Sequence, residues 1–209
     1  MNLTKLGLFC GMLGPPLWLA LIAYAGTLRP GFCHVKQYIS ELAERGSVTE
    51  TLMRVGAFGF TGFLYLCFAA TLSVCFKQTG AFAKLAFAFI ALDGLGRIGA
   101  GVFPCDPGCD GFSLSQQLHR AFATVGFVSG VLACIASGAA VKRLNLSQGL
   151  SRYSYVTGAL AAAFLWLMSS RPDPAQWPGL FEHLASVLLS LWLMMFAGYL
   201  FFKHSSAAE

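Results

Sequence analysis

The sequence predicts an all-α fold: a six-helix transmembrane bundle with both termini cytoplasmic and a structured first outer loop. Two observations carry the fold class. The 209 residues are 56% hydrophobic and only 11% charged, with a mean hydropathy of +0.66, whereas soluble domains carry about 25% charged residues. Six apolar runs, at about 5–27, 53–76, 85–103, 121–141, 155–170 and 184–202, approach the roughly 20 residues that a helix needs to cross about 30 Å of hydrocarbon. The runs lack the alternation of barrel strands, and lipid cannot satisfy free backbone amides, so each is read as a helix. The residues left over are too few for a soluble domain, so 1–209 is a single integral membrane domain.

A third observation sets the orientation. Lys5, Lys77, Lys84, Lys142, Arg143, Arg152 and Lys203 fall on one side of the membrane against a single acid, Glu209. The other side sets Arg29, Lys36, Arg45, Arg54, Arg120 and Arg171 against Glu41, Glu44, Glu50, Asp106, Asp110, Asp173 and Glu182. Basic short loops stay in the cytoplasm, which places both termini there, in a membrane read as a bacterial inner membrane. The pI near 8.9 then reflects anionic lipid headgroups, and no nucleic acid is needed to explain it.

In chain order, the first run resembles a signal peptide but lacks a small-x-small cleavage site, and it is read as a retained span. Pro15-Pro16 in its interior should kink it. In the outer loop at about 28–52, Tyr38 to Arg45 has apolar residues at 38, 39 and 42 with charges opposite, followed by Gly46 as a cap. This predicts a short amphipathic helix at the interface, in a loop folded back over the bundle. Ser47 to Glu50 reads as a capping box opening the second span. The third span is unusual, because Asp93 and Arg97 lie four residues apart on one face among Gly94, Gly96, Gly99 and Gly101. Arg97 lies about 10 Å below Pro104 along the helix. The pair is either an ion pair packing the helix against its neighbours, or a polar group beneath an outer pocket. The fourth span opens with a second capping box, Ser113 with Gln116, and its first two turns, which include Arg120, favour an anion. The loop Lys142 to Ser154 reads as solvated. The proline-rich loop Arg171 to Gly179 reads as a stiff rim.

The most specific chemistry lies in Val102 to Gly111. Asp106-Pro107-Gly108-Cys109 fits a type II turn, with glycine where φ must be positive, and this brings Cys105 and Cys109 together. An oxidising compartment would make them a disulfide. Alternatively they are thiolates forming half a metal site, completed by His34, His119 or His183. All three of these histidines map to the outer face with its carboxylates, and His119 is the leading candidate for acid–base or ligand-binding work, with Asp106 or Glu41 as its partner.

The chain resembles the family of multi-spanning membrane proteins grouped as domain of unknown function 998. The resemblance rests on His34-Val35-Lys36-Gln37-Tyr38-Ile39-Ser40-Glu41-Leu42 with Arg45-Gly46, on Phe103-Pro104-Cys105-Asp106 with Gly108-Cys109, on Ser115, Gln116 and His119, and on Gly179-Leu180-Phe181. It covers about 10 to 200 and implies a six-span bundle without implying a reaction. The last motif of the family resembles Gly-Leu-x-Gln-Arg-Leu. Here Glu182-His183 stands in place of Gln-Arg, which weakens His183 as a shared ligand.

Three functions are compatible with these residues. The first is binding or transport of a lipid or small amphiphile in an outer polar pocket. There Arg97 and Arg120 would supply positive charge, His119 a hydrogen bond or proton, Ser40 and Glu41 orientation, and His34, Asp93 and Gln116 further polar contacts. The second is a membrane-embedded lipid hydrolase or transferase using His119 with Asp106 or Glu41, with or without a metal. The third is an accessory subunit docking a partner helix through Gly96 and Gly99. Membrane lipids are the expected partners, and the sequence names no cofactor.

Overall fold

The computed structural model describes residues 3–75, 80–170 and 177–206, and every regular element among them is helical. Six long helices carry the fold: α1 (Leu3–Leu28), α2 (Leu52–Cys75), α3 (Ala81–Val102), α4 (Leu114–Arg143), α5 (Gln148–Ser169) and α6 (Pro178–Ser206). At 1.5 Å per residue these run roughly 33–45 Å, enough to cross a bilayer. Five of them are also apolar enough to qualify as spans on composition, and α5 is the exception. Lys77, Glu209 and the rim residues Arg171 to Gln176 lie outside the described residues.

Each helix packs on its neighbour in sequence, and α1 closes against α6, so the six form a ring in chain order. The chain runs alternately up and down. The ends of α1, α3 and α5 and the starts of α2, α4 and α6 therefore share one end of the bundle with the loop 29–51 and the Cys105–Cys109 turn. This is called the disulfide end below.

The polarity of α5 is turned inward. From the sequence this span starts at about 155, and Lys142 to Ser154 reads as a solvated loop. In the structure Ser147 caps α5, its hydroxyl accepting from Leu150 N at 3.2 Å, and the helix begins at Gln148. Ser151 donates to Gly138 O at 2.8 Å, and Ser154 accepts from Trp192 Nε1 at 2.9 Å. Ser151, Ser154 and Thr157 are buried. A hydropathy reading counts these serines against a span, although between helices they serve as interhelical bonds.

The close approaches of α3 come from its glycines. A Cβ on Gly62 would lie 2.6 Å from Gly94 O, and one on Gly96 would lie 2.5 Å from Gly126 N. Gly99 lies against the Phe122 ring. Gly96 and Gly99 therefore face α4 of the same chain, and the close packing read from the sequence is used internally.

Helix α1 runs unbroken through Pro15 and Pro16. Helix α2 opens with a π-helical segment, Leu52–Phe60. Arg54 in that segment donates to Gly101 O at 2.8 Å and Val102 O at 3.1 Å, and pairs with Glu50 at 2.7 Å. It thereby satisfies carbonyls at the end of α3 that the helix itself leaves free. Glu50 also accepts from Gly46 N at 2.7 Å, whereas Ser47 Oγ accepts from Thr49 N, so the expected Ser47–Glu50 box is replaced by a Glu50 cap one residue earlier.

Candidate functional site

The loop 29–51 does fold over the bundle. Its helical part is a single 3-10 turn, Ile39–Ala43, in place of an interfacial amphipathic helix. Ile39, Leu42 and Ala43 are almost wholly buried in a cluster with Trp18, Ile22 and Phe58. Their apolar side chains thus face protein, and burying them holds the loop down. The two carboxylates are buried as well. Glu44 pairs with Arg29 at 2.6 Å and accepts from Gly108 N at 2.6 Å. Glu41 accepts from Tyr38 N at 2.9 Å and Gln37 Nε2 at 2.8 Å, and its carbonyl accepts from Arg29 Nη1. Burial, reinforced by the charges of Glu182 and Glu41, pushes the Tyr38 phenol above its ordinary value.

The Cys105–Cys109 turn is pinned beside this loop. The two sulfurs are bonded, with Cα atoms 5.0 Å apart. Gly108 has φ 71° and ψ 1°, and Cys109 N donates to Asp106 O at 2.8 Å, as the type II turn requires. Ser113 caps α4 as expected, its hydroxyl accepting from Gln116 N at 3.1 Å. The reciprocal half of the box differs. Asp106, not Gln116, returns to Ser113, accepting from its amide at 3.1 Å and its hydroxyl at 2.8 Å. These bonds hold the Asp106 carboxyl below its ordinary value. Gln116 instead clamps the turn, accepting from Asp106 N at 2.8 Å and donating to Cys109 O at 2.9 Å. Gln116 is 1% exposed. Gln116→Ala would leave the Asp106 amide without its partner and the Cys109 carbonyl with Arg120 alone, and a loss of about 1–3 kcal/mol is expected. Thermal unfolding and faster hydrogen exchange at the Asp106 amide would read it.

Beneath these two loops lies a cavity of about 40 Å³ of water-accessible space, against roughly 10–15 Å³ for one water. Its polar lining residues are Ser40, Asp93, Arg97, His119 and Glu182, set among apolar groups that include Trp18, Phe58 and Phe127. Asp93 Oδ1 bonds Arg97 Nε at 2.9 Å, which is the ion pair expected from their spacing. The Arg97 guanidinium also lies between the Trp18 and Tyr65 rings, 4.4 and 4.5 Å from their centroids, where the aromatic quadrupoles help to hold a desolvated cation. Arg97 Nη1 is buried and has no protein partner.

His119 is placed by the end of α3. Its Nδ1 lies 3.0 Å from Ala100 O and 2.9 Å from Phe103 O. Both neighbours are acceptors, so Nδ1 carries the proton, and in the neutral ring Nε2 is left as an acceptor. Nε2 is buried, again without a protein partner.

The cavity shares Ser40, His119, Ala123, Phe127 and Glu182 with an open cleft of about 560 Å³, which also takes in Tyr38, Arg120, Val128, Leu165 and Met168. The cleft lies at the disulfide end between α4, α5 and α6. Arg120 at its rim donates to Cys109 O at 2.9 Å. Glu182 accepts from Ile39 N at 2.6 Å, tying α6 to the loop.

The structure thus brings together Ser40, Asp93, Arg97, His119 and, at the rim, Arg120. Asp106, Glu41 and Gln116 are held in loop bonds, and of the three only Gln116 borders the cleft. His34 stands apart. Its Nδ1 donates to His183 Nε2 at 2.9 Å while His183 Nδ1 donates to Gly179 O at 2.8 Å, and the His34 ring covers Gly26 of α1. Among the described residues no three histidine, cysteine or acidic side chains group as metal ligands. The sequence reading missed Trp18 and Tyr65. Their only signal was a large aromatic residue on each of two neighbouring spans, which does not reveal that both face the same guanidinium.

The model of the family described as "Protein of unknown function (DUF998)" matches residues 12–199. The chain belongs to the DUF998 family. The match takes in α2 to α5, most of α1 and α6, the loop 29–51 and the disulfide turn, so every part of the candidate site lies within it. Comparison with curated proteins and with solved structures gives no match. As a DUF998 member with several apolar helices of spanning length, the chain is an integral membrane protein.

Proposed function

We propose that this DUF998 protein binds, and as part of a transport cycle carries, a lipid or small amphiphile through the cleft and cavity at the disulfide end, on the extracytoplasmic side. One observation carries the reading. Two buried side-chain nitrogens, Arg97 Nη1 and His119 Nε2, lack protein partners on residues that line one cavity, and that cavity shares Ser40, His119, Ala123, Phe127 and Glu182 with a cleft lined partly by Val128, Leu165 and Met168. Buried polar groups without partners are costly, and binding sites are where proteins keep them. A polar head in the cavity with an apolar tail in the cleft satisfies both parts of the site.

The Cys105–Cys109 turn and the Ile39–Ala43 turn form the roof, and Asp93 with the two aromatic rings holds Arg97 in place. The acid–base pairing that a hydrolase would need draws no support from the loop bonds of Asp106 and Glu41. Native mass spectrometry of the detergent-solubilised protein tests the proposal. The wild type is expected to carry a lipid-sized adduct that is lost in His119→Ala at unchanged helicity. A bare polypeptide, or a metal adduct lost in His119→Ala, would overturn it.

A further inference from the structure

We infer that the group seated between Arg97 and His119 is a neutral hydroxyl, so that the ligand is a long-chain alcohol or another amphiphile with a free hydroxyl head. This rests on the amphiphile reading above and narrows it to a chemical class.

The two unpartnered atoms are complementary in kind. Arg97 Nη1 can only donate, and His119 Nε2, with the ring proton held on Nδ1 by Ala100 O and Phe103 O, accepts. A hydroxyl oxygen accepts from the guanidinium while its hydrogen goes to the imidazole, and both atoms are satisfied by one small group. A carboxylate or a fully ionised phosphate accepts from Arg97 but sets a lone pair against Nε2. An ammonium does the reverse and brings a second cation beside Arg97.

Charge and size agree with this. The Arg97 charge is already matched by Asp93 at 2.9 Å, and Glu182 lines the same cavity, so the walls hold no surplus positive charge for an anion. The one further cation is Arg120, which lines the cleft and not the cavity. At about 40 Å³ of water-accessible space the cavity takes only a few atoms. The cleft beside it, bordered by Val128, Leu165 and Met168, has the apolar wall that a hydrocarbon tail needs and water does not.

The test uses the full-length protein in micelles and three probes of one chain length: dodecan-1-ol, dodecanoate and dodecyl phosphate, at pH 8 and equal mole fraction. Binding is read from the rise in melting temperature along each titration. Dodecan-1-ol is expected to bind the wild type at least about ten-fold more tightly than either anion, the cost of one unmade hydrogen bond to a buried acceptor. His119→Ala should erase that preference, and His119→Gln, which restores a carbonyl acceptor, should recover part of it. An anion binding as tightly as the alcohol overturns the hydroxyl assignment and leaves the amphiphile reading standing. If none of the three binds, water alone satisfies the cavity and both readings fall. The ranking on the wild type decides the matter even where a variant does not fold.

Discussion

Asp93→Ala is expected to destabilise the protein by about 3–5 kcal/mol, the cost of leaving a buried charge without its partner. Arg97 is 9% exposed and its Nε has Asp93 for a partner. The Trp18 and Tyr65 faces are worth only about 2 kcal/mol to a desolvated cation, so they cannot replace the carboxylate. Removing both charges together has a different outcome. Asp93→Leu with Arg97→Met eliminates the desolvation cost as well as the attraction, and the double variant should lie within about 1–2 kcal/mol of wild type. It should nevertheless bind no amphiphile. Reversible unfolding in mixed micelles measures all three proteins. A single variant as mild as a surface substitution would mean that Arg97 reaches water and is not the buried cation described above.

Gly96→Leu is expected to prevent the bundle from assembling, at a cost of about 3 kcal/mol or more. Overpacking in a core usually costs about 1–3 kcal/mol because side chains yield. Here a Cβ would meet Gly126 N at 2.5 Å, Gly126 Cα at 2.6 Å and Phe122 O at 2.7 Å, all backbone atoms of α4. Those atoms move only if α3 and α4 separate, and the cavity lies between these helices. Gly198→Ala serves as the control, since a Cβ there meets nothing within 4 Å. It should be neutral or slightly stabilising through helix propensity. Yield of folded protein and melting temperature in detergent read both. A Gly96→Leu protein that folds normally would contradict the close α3–α4 contact.

Much of this architecture is legible in the sequence because spanning a membrane leaves the chain few choices. The apolar runs, the Ser113 cap, the Asp106–Cys109 turn and the Asp93–Arg97 spacing each follow from a local rule, and each appears in the structure. Most of what escaped the sequence is long-range, the bonds of Asp106 and Glu41 to residues within seven positions being the exception. The serines of α5 look like loop residues until α4 and α6 are placed around them. Asp106 and Glu41 look like reactive carboxylates until Ser113, Gln37 and the Tyr38 amide take up their oxygens. His34 and His183 look like companions of His119, yet they bond to each other and not to the cavity. Arg97 was visible as an intramembrane cation, but its clamp comes from Trp18 and Tyr65, which lie 79 and 32 positions earlier in the chain. No periodicity links residues on different helices, so only the ring packing of the helices brings them together.

The central claim is that the cavity and cleft at the disulfide end hold an amphiphile, and photolabelling tests it most directly. A dodecanol carrying a diazirine in its chain would be irradiated with the wild type in nanodiscs and the adducts mapped by peptide mass spectrometry. The account predicts labels concentrated on the α4 and α5 peptides containing Val128, Leu165 and Met168, removed by excess dodecan-1-ol and absent in His119→Ala. Labels spread over lipid-facing residues such as Val55, Phe63 and Leu95, and unaffected by competition, would contradict it.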